Sequence, residues 1–403
     1  MGLRSWFSRP PKSLLFVRPD YHCSFFYRDE LRKLGWKVDI YVPWSYPEGL
    51  LYSDKDVLRP PRLLRRDGRV ASAANSMLAD VWFLTRGSSY RYHMYYGRPP
   101  QWARLWERMA PRLLRSISLK LSRRLGIRLV FLPTGCHDIL TKEEFEQLDR
   151  GKVCTNCGAW DRCSDVLNMR NFDTIRSFFS AAISAGDIPT DQYAPSFLKW
   201  KAIDLTLWQP SLDIPTDHRL PETGNLRVLH SFSSNGRDYK GRNIKGSPFV
   251  RAAVDRLIEE GHNVELLFVE RAASKDMRYY QAQADIVVEQ LIYGWWGSTG
   301  VETMALGKPV VCYLRPAWKQ FFFSVFPEYE ELPIIEANTE SIYSVLKELV
   351  VDPELRNRAG QASRDFAVRH FNPSRNAAAL EGALLSIGDS TTCNPLGHGA
   401  KNR

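Results

Sequence analysis

Residues 284–314 read ADIVVEQLIYGWWGSTGVETMALGKPVVCYL, and their reading decides the fold. Ile286-Val287-Val288 is a β-branched apolar run bounded by Asp285 and Glu289, the pattern of a short buried strand. A loop rich in Gly and Trp follows, and Gly297-Ser298-Thr299-Gly300 then leads into Val301-Glu302-Thr303-Met304-Ala305-Leu306. Val301, Met304 and Ala305 fall at helical spacing, and Gly307 supplies the stop that a helix C-terminus favours. Residues 309–313 (PVVCY) make the next strand. Strand, small-residue loop, short helix and strand form one βαβ step of a parallel sheet. The Gly-Ser-Thr-Gly turn sets several backbone N–H groups at the positive end of the helix dipole, where a phosphate or pyrophosphate binds. Glu302 sits just inside, where a carboxylate accepts hydrogen bonds from a sugar or ribose diol.

The constellation resembles the C-terminal domain of the GT-B glycosyltransferases, specifically the retaining family called glycosyl transferases group 1. Its members carry a Glu-x7-Glu signature that ends in a helix of the form Val-Glu-Ala-Met-Ala-x-Gly-x-Pro-Val-Val. Glu302 matches the second Glu and TMALGKPVV the remainder, but the position eight residues earlier is Gly294, so the first Glu is missing. In that family the second Glu holds the nucleotide ribose and the first helps hold the donor sugar. The resemblance implies an α/β protein of GT-B architecture, two Rossmann-like doubly wound domains facing a cleft. It also implies glycosyl transfer from a nucleotide sugar with retained configuration and no divalent cation in the chemistry.

A chain of 403 residues, 44% hydrophobic and 25% charged, is long enough for two ordinary domains with separate cores. It has no apolar run of eighteen residues, and its basic N-terminus lacks the apolar core of a signal peptide. Seven cysteines, unevenly spread, fit a reducing compartment better than a disulfide framework, which places the protein in a cytoplasm. The net charge of +10 is lopsided: residues 1–130 hold 25 Lys+Arg against 10 Asp+Glu, the rest 30 against 35. Such a basic first third suits an anionic lipid surface, a phosphorylated substrate or nucleic acid. No helix-turn-helix, RRM or KH signature accompanies it, so nucleic acid is not an expected partner.

The first domain is expected over 1–210. Residues 13–17, a helix around 25–34 and residues 37–42 make an opening β-α-β without a GxGxxG, so no dinucleotide site is expected there. Asp54-Lys55-Asp56, in a charged turn-like segment, matches a metal-binding Asp-x-Asp only by chance. Between Arg98 and Arg128 nine basic residues and one acid interleave with Trp102, Trp106 and apolar residues at helical spacing. This stretch is either a domain helix with its arginines in water or a surface that docks on anionic lipid. The strand 128–133 runs into Thr134-Gly135-Cys136-His137-Asp138, which loosely matches a cleft-facing loop of the resembled family. His137 and Asp138 are therefore the catalytic candidates, for positioning the reacting sugar or the acceptor. Cys154-x2-Cys157-x5-Cys163, joined by Cys136, offers four thiolates to a structural zinc, with buried thiols and a redox dithiol as alternatives.

Pro-rich residues 211–224 read as a linker, 225–372 as the nucleotide-sugar domain, 373–386 as a helix crossing back to the first domain, and 387–403 as a disordered tail. After a strand at 226–232 comes SSNGRDYKGRNIKGSP. In the resembled family a loop here clamps the donor diphosphate with cations, roles that fall to Arg237 and Lys245, with Lys240-Gly241 a competing register. The expected function is transfer of a sugar from a nucleotide diphosphate to a hydroxyl of a glycan or lipid-linked acceptor, in cell-surface polysaccharide synthesis. Rivals are a nucleotide-sugar epimerase on the same fold and a non-catalytic nucleotide- or sugar-binding protein.

Overall fold

Leu14, Leu15, Phe16 and Val17 are all buried, because the strand Ser13–Val17 (β1) lies in the middle of a parallel sheet covered on both faces. The computed structural model describes residues 10–20, 22–42, 52–53, 57–61, 81–97, 117–147, 152–158, 163–185, 196–198, 200–231, 238–239, 241–269 and 272–389. Lys37–Tyr41 (β2), Val57–Leu58 (β3), Tyr92–Tyr96 (β4), Arg128–Leu132 (β5), Ala181–Ser184 (β6) and Ser196–Phe197 (β7) complete the first sheet. Its order is β3-β2-β1-β4-β5-β6-β7, every pairing parallel. The strand order reverses between β1 and β4, which opens a crevice beyond their carboxyl ends.

The second sheet follows the same logic. Leu226–Ser231 (β8) is joined through a small hairpin, Asp238–Tyr239 (β9) with Arg242–Asn243 (β10), to Val264–Val269 (β11), Ile286–Val288 (β12), Val310–Cys312 (β13) and Ile334–Glu336 (β14). The order β11-β8-β12-β13-β14 is again all parallel, with its reversal between β8 and β12. Gly307 ends the helix Ser298–Ala305 at φ +69°, its N–H bonded to the Met304 carbonyl at 3.0 Å. The two parallel α/β domains together form a GT-B fold.

Among the connections between the domains, two run through the last two helices. Arg364, in the helix Pro353–His370, donates to the carbonyls of Trp208 (2.9 Å) and Ala305 (2.6 Å), fixing the segment before the linker against the second domain. The helix Pro373–Asp389 returns to the first domain, where Ala377, Leu380 and Leu384 join the core beneath Leu14, Phe16 and Val38. Glu381 there accepts from Trp36 Nε1 at 2.8 Å and pairs with Lys12 at 2.9 Å.

Several strands escape the sequence reading, two of them in the body of the first sheet. Tyr92–Tyr96 has no β-branched residue and includes His93, whose Nε2 meets the Gly87 carbonyl at 2.8 Å inside the core. Its register was masked by the basic stretch it borders. Ala181–Ser184 is short and rich in small residues, so periodicity does not expose it. Of the basic stretch, residues 98–116 lie outside the described residues; its end, the helix Ile117–Arg124, buries Leu119 and Ser122 while Lys120 and Arg124 face water. No helix among the described residues is long and apolar enough to cross a membrane.

Leu380→Ala removes a fully buried side chain shared by the returning helix and the first-domain core. It is expected to lower stability by about 2–5 kcal/mol, measured by urea unfolding; a loss below about 0.5 kcal/mol would show that the helix is not docked there.

Candidate active site

The first half of the site is a turn. Asn243 Oδ1 accepts from the N–H groups of Lys245 (3.1 Å), Gly246 (3.1 Å) and Ser247 (3.3 Å), wrapping the chain into the helix Ser247–Glu259. Gly246 has φ +80°, and a Cβ there would stand 3.0 Å from Leu291 Cβ, so the turn admits only glycine without strain. Lys245 is 7% exposed; its Nζ donates to the Ser231 carbonyl (3.2 Å) and pairs with Glu289 Oε1 (3.3 Å).

Glu289 directly follows β12 and is 2% exposed, with Oε2 accepting the Gly297 N–H at 2.7 Å. Gly297 is the N-cap of the helix Ser298–Ala305. The next three N–H groups, of Ser298, Thr299 and Gly300, have no intrahelical acceptor, as at any helix start. Ser298 and Thr299 are half-exposed, so the positive helix end is open to a ligand. Lys245 and the Gly297–Gly300 turn thus share one carboxylate. Sequence reasoning took Glu289 only as the boundary of a strand.

Gly294, where the Glu-x7-Glu signature has its first acid, has φ +100°, and a Cβ there would meet Arg315 Cβ at 3.0 Å and Nε at 3.1 Å. The loop beside it is rigid: Trp295 and Trp296 stack at 4.3 Å, both buried against Phe322. A side chain at 294 has neither the backbone nor the space it needs.

Glu302 is 5% exposed and accepts from Gln281 Nε2 at 2.8 Å. Across the cleft stands His22, the residue that caps the helix Cys23–Lys33 after β1. Its Nδ1 comes within 3.3 Å of Glu302 Oε1, an approach short enough for an ion pair. Neither imidazole nitrogen makes a hydrogen bond of acceptable geometry, so we read the approach as contact between neutral groups. Burial supports that: it lowers the His22 pKa to about 4 and raises that of Glu302 to about 8, against the Gln281 hydrogen bond and the Lys245 charge. His22 is packed by Phe26 and Trp208, and Trp208 by Tyr52. His22 Nδ1 and Nε2, Gln281 Oε1 and Trp208 Nε1 are all buried without a hydrogen-bond partner. A concentration of such atoms in one place marks a polar site that a hydroxyl-bearing ligand would satisfy.

His230 is a different case. Its Nδ1 meets the Val288 carbonyl and its Nε2 the Ser247 hydroxyl, both at 2.8 Å, and burial lowers its pKa to about 3. It holds β8, β12 and the following helix in register.

Of the other sequence candidates, Arg237, Lys240 and the side chain of His137 lie outside the described residues. Asp138 is 3% exposed and its Oδ2 accepts from Thr134 N–H (3.2 Å) and hydroxyl (3.0 Å), so this oxygen is used in shaping its own loop. Asp54-Lys55-Asp56 also falls outside. Cys136, Cys154, Cys157 and Cys163 line one cavity. No group of three or more His, Cys, Asp or Glu side chains among the described residues is placed to hold a metal ion.

No protein-family model matches the chain, and no curated protein does. Solved structures do. Sucrose-phosphate synthase from Thermosynechococcus elongatus superposes with a TM-score of 0.56 at 12% identity, over 94% of this chain and 99% of its own. Anabaena HepE, solved with UDP and glucose, gives 0.55 at 14% identity, over 93% and 99%. A Listeria monocytogenes protein assigned as a UDP-N-acetylglucosamine 2-epimerase gives 0.50 at 9% identity, over 96% and 99%. At these identities the likeness establishes the fold, and that fold is the GT-B arrangement of the glycosyltransferases.

Two expectations follow from the geometry. Gly294→Glu would rebuild the signature, yet it should destabilise the protein by about 1–3 kcal/mol and confer no tighter donor binding, as read by denaturation and calorimetry. The second concerns pH. Between 4.5 and about 8 folded Glu302 keeps a proton that the unfolded chain loses, so its contribution to stability falls as pH rises. Between about 4 and 6.5 His22 acts in the opposite sense, because the unfolded chain holds the extra proton. The two offset each other up to 6.5, and above it Glu302 acts alone. Wild-type melting temperature should therefore decline from 6.5 to about 8, and Glu302→Gln, isosteric with the neutral acid, should flatten that decline. A wild-type profile as flat as the variant's would put Glu302 in water instead.

Proposed function

We propose that the protein is a glycosyltransferase that moves a sugar from a nucleotide diphosphate to an acceptor hydroxyl. The observation that carries this reading is the Lys245–Glu289–Gly297 arrangement, a cation and an open helix N-terminus at the carboxyl ends of parallel strands, facing the other domain. A diphosphate placed there meets the Ser298–Gly300 N–H groups and the Lys245 ammonium. Glu302, one turn further on, then stands where a ribose diol would reach, and His22 and Gln281 bring further unpaired polar atoms.

In the reaction, the bond from the anomeric carbon to the diphosphate oxygen breaks and its electron pair stays on the phosphate. The acceptor oxygen forms the new bond on the same face, and its proton passes to the departing phosphate oxygen. Charge therefore grows next to Lys245 and the helix N-terminus, the groups best able to stabilise it. Retention and independence from divalent cations are part of this reading, supported by the Glu302 motif. The acceptor is read as a glycan or a lipid-linked saccharide, supported by the basic, Trp-containing stretch of the first domain.

The second reading is a nucleotide-sugar epimerase, favoured by the likeness to the Listeria protein. A panel of UDP- and GDP-sugars separates the two. Transfer or slow hydrolysis that releases the nucleoside diphosphate supports the transferase; an epimerised sugar formed without any acceptor supports the epimerase. Lys245→Ala should lower kcat more than it raises KM, because its charge matters most as the diphosphate leaves. An unchanged kcat in a folded variant would remove Lys245 from the chemistry.

A further inference from the structure

Cys136, Cys154, Cys157 and Cys163 come from three separate segments, yet all four border one cavity of about 30 Å³. Cys136 opens the short helix Cys136–Ile139, Cys154 lies in the helix Lys152–Thr155, and the Cys157 N–H bonds the Cys154 carbonyl at 3.0 Å in the turn that follows. Cys163 stands just before the helix Asp165–Phe178. None of the six described cysteines is in a disulfide. The segments are pinned by other means as well. Thr141 and Glu144 cap the helix Lys142–Gln147 reciprocally, with Thr141 N–H to Glu144 Oε2 at 2.7 Å and Glu144 N–H to Thr141 Oγ at 3.1 Å. Asp165 accepts the Lys142 and Glu143 N–H groups.

The remaining lining is telling. Phe145, Val153 and Leu140 make the cavity wall apolar, with Lys142 and Asn168 as its nitrogen-bearing side chains, and Ile244 closes it from the second domain. Ile244 lies between Asn243 and Lys245, inside the turn that sets the Lys245 cation. On the same side Phe145 packs on Tyr293 (6.0 Å) and Trp318 (5.9 Å) of the second domain. The cysteine cluster is thus built into the seam between the domains, directly behind the donor turn.

We propose that these four thiols bind one structural Zn²⁺ that ties this Cys-rich insertion to the Asn243–Gly246 turn. The four cysteines line one cavity, but as they stand no three of them are placed to hold an ion. Closing them to the ~2.3 Å bonds of a tetrathiolate needs local rearrangement, of the kind that metal binding drives. Binding forms four Zn–S bonds and releases four thiol protons, leaving the site with two negative charges. Lys142, which pairs with Glu146 at 3.4 Å, and Asn168 are the nitrogen-bearing side chains along this wall. Four thiolates leave no open position, so the ion holds structure and carries out no reaction.

The test uses the full chain, purified under reducing, chelator-free conditions. Elemental analysis should find about one zinc per chain, and Co²⁺ in its place should give the visible ligand-field and thiolate charge-transfer bands of a tetrahedral tetrathiolate. Cys154→Ser/Cys157→Ser should lose the metal at least tenfold, whereas Cys23→Ser, remote from the cavity, should keep it. Hydrogen exchange gives the reading on the seam. The amides of Lys245 and Gly246 should exchange several-fold faster once zinc is removed from the wild type, a measurement that needs no activity and no folded variant. The link to donor handling rests on the glycosyltransferase reading, but the metal itself does not. Protein loaded with excess Zn²⁺ that retains none after gel filtration, or a Co²⁺ spectrum without thiolate bands, would overturn the proposal. So would zinc that stays bound in the double variant.

Discussion

Lys245 is an ammonium in a nearly dry place, and three elements of the second domain meet to keep it there. A buried charge without a partner costs several kcal/mol (about 3–5 when one member of a pair is removed). Here the partner is Glu289 at 3.3 Å, and Glu289 is held in turn by the Gly297 N–H. The turn before one helix, the end of β12 and the start of the next helix therefore cannot move independently. Shift any of them and a buried charge is stranded. Gly246, at φ +80°, lets the first of these elements bring its backbone close to the Leu291 side chain.

The His22–Glu302 contact between the domains obeys the opposite rule. His22 and Glu302 meet as neutral groups, because neither charge is compensated well enough to survive burial. The aromatic packing of Phe26, Tyr52 and Trp208 around them supplies apolar area, while the unpaired nitrogens supply none of the hydrogen bonds that would lock the contact. Packing rather than hydrogen bonding holds this contact, and on the proposed reading its polar atoms gain partners when a hydroxyl-bearing ligand enters.

What the sequence disclosed and what it hid divide along one physical line. The step from β12 to β13 was legible because its strands, its loop and its helix are contiguous, and each carries its own periodic or capping signal. Glu302 and the Gly297–Gly300 turn lie inside that step, whereas Lys245 was singled out only through the resemblance. Tyr92–Tyr96 was hidden, because a strand of aromatics and a buried histidine advertises no alternation. His22 and Gln281 were hidden for a deeper reason: the first lies in another domain, brought to Glu302 only by docking. Glu289 had a visible address but no visible task, because its partner Lys245 lies forty-four residues earlier in the chain. Four cysteines at irregular spacing suggested a common site, and only the folded insertion shows that they share one cavity with Ile244.

Gly294 and Glu289 are best understood together. The resembled family keeps an acid in the loop that Gly294 occupies, and here the backbone at φ +100° and the Arg315 side chain leave it no room. The chain still buries a carboxylate in this neighbourhood, but five residues earlier and at a strand end. Moving the acid changes what it can do. From the loop a carboxylate reaches toward a ligand; from Glu289 it points at Gly297 N–H and Lys245 Nζ, both of them protein atoms. Its role becomes the preorganisation of the cation and the helix terminus, groups whose value lies in being fixed before charge develops. On the proposed reading, sugar selection then falls to residues outside this carboxylate, and the second domain is left with the part of the task that is common to all donors: gripping the diphosphate.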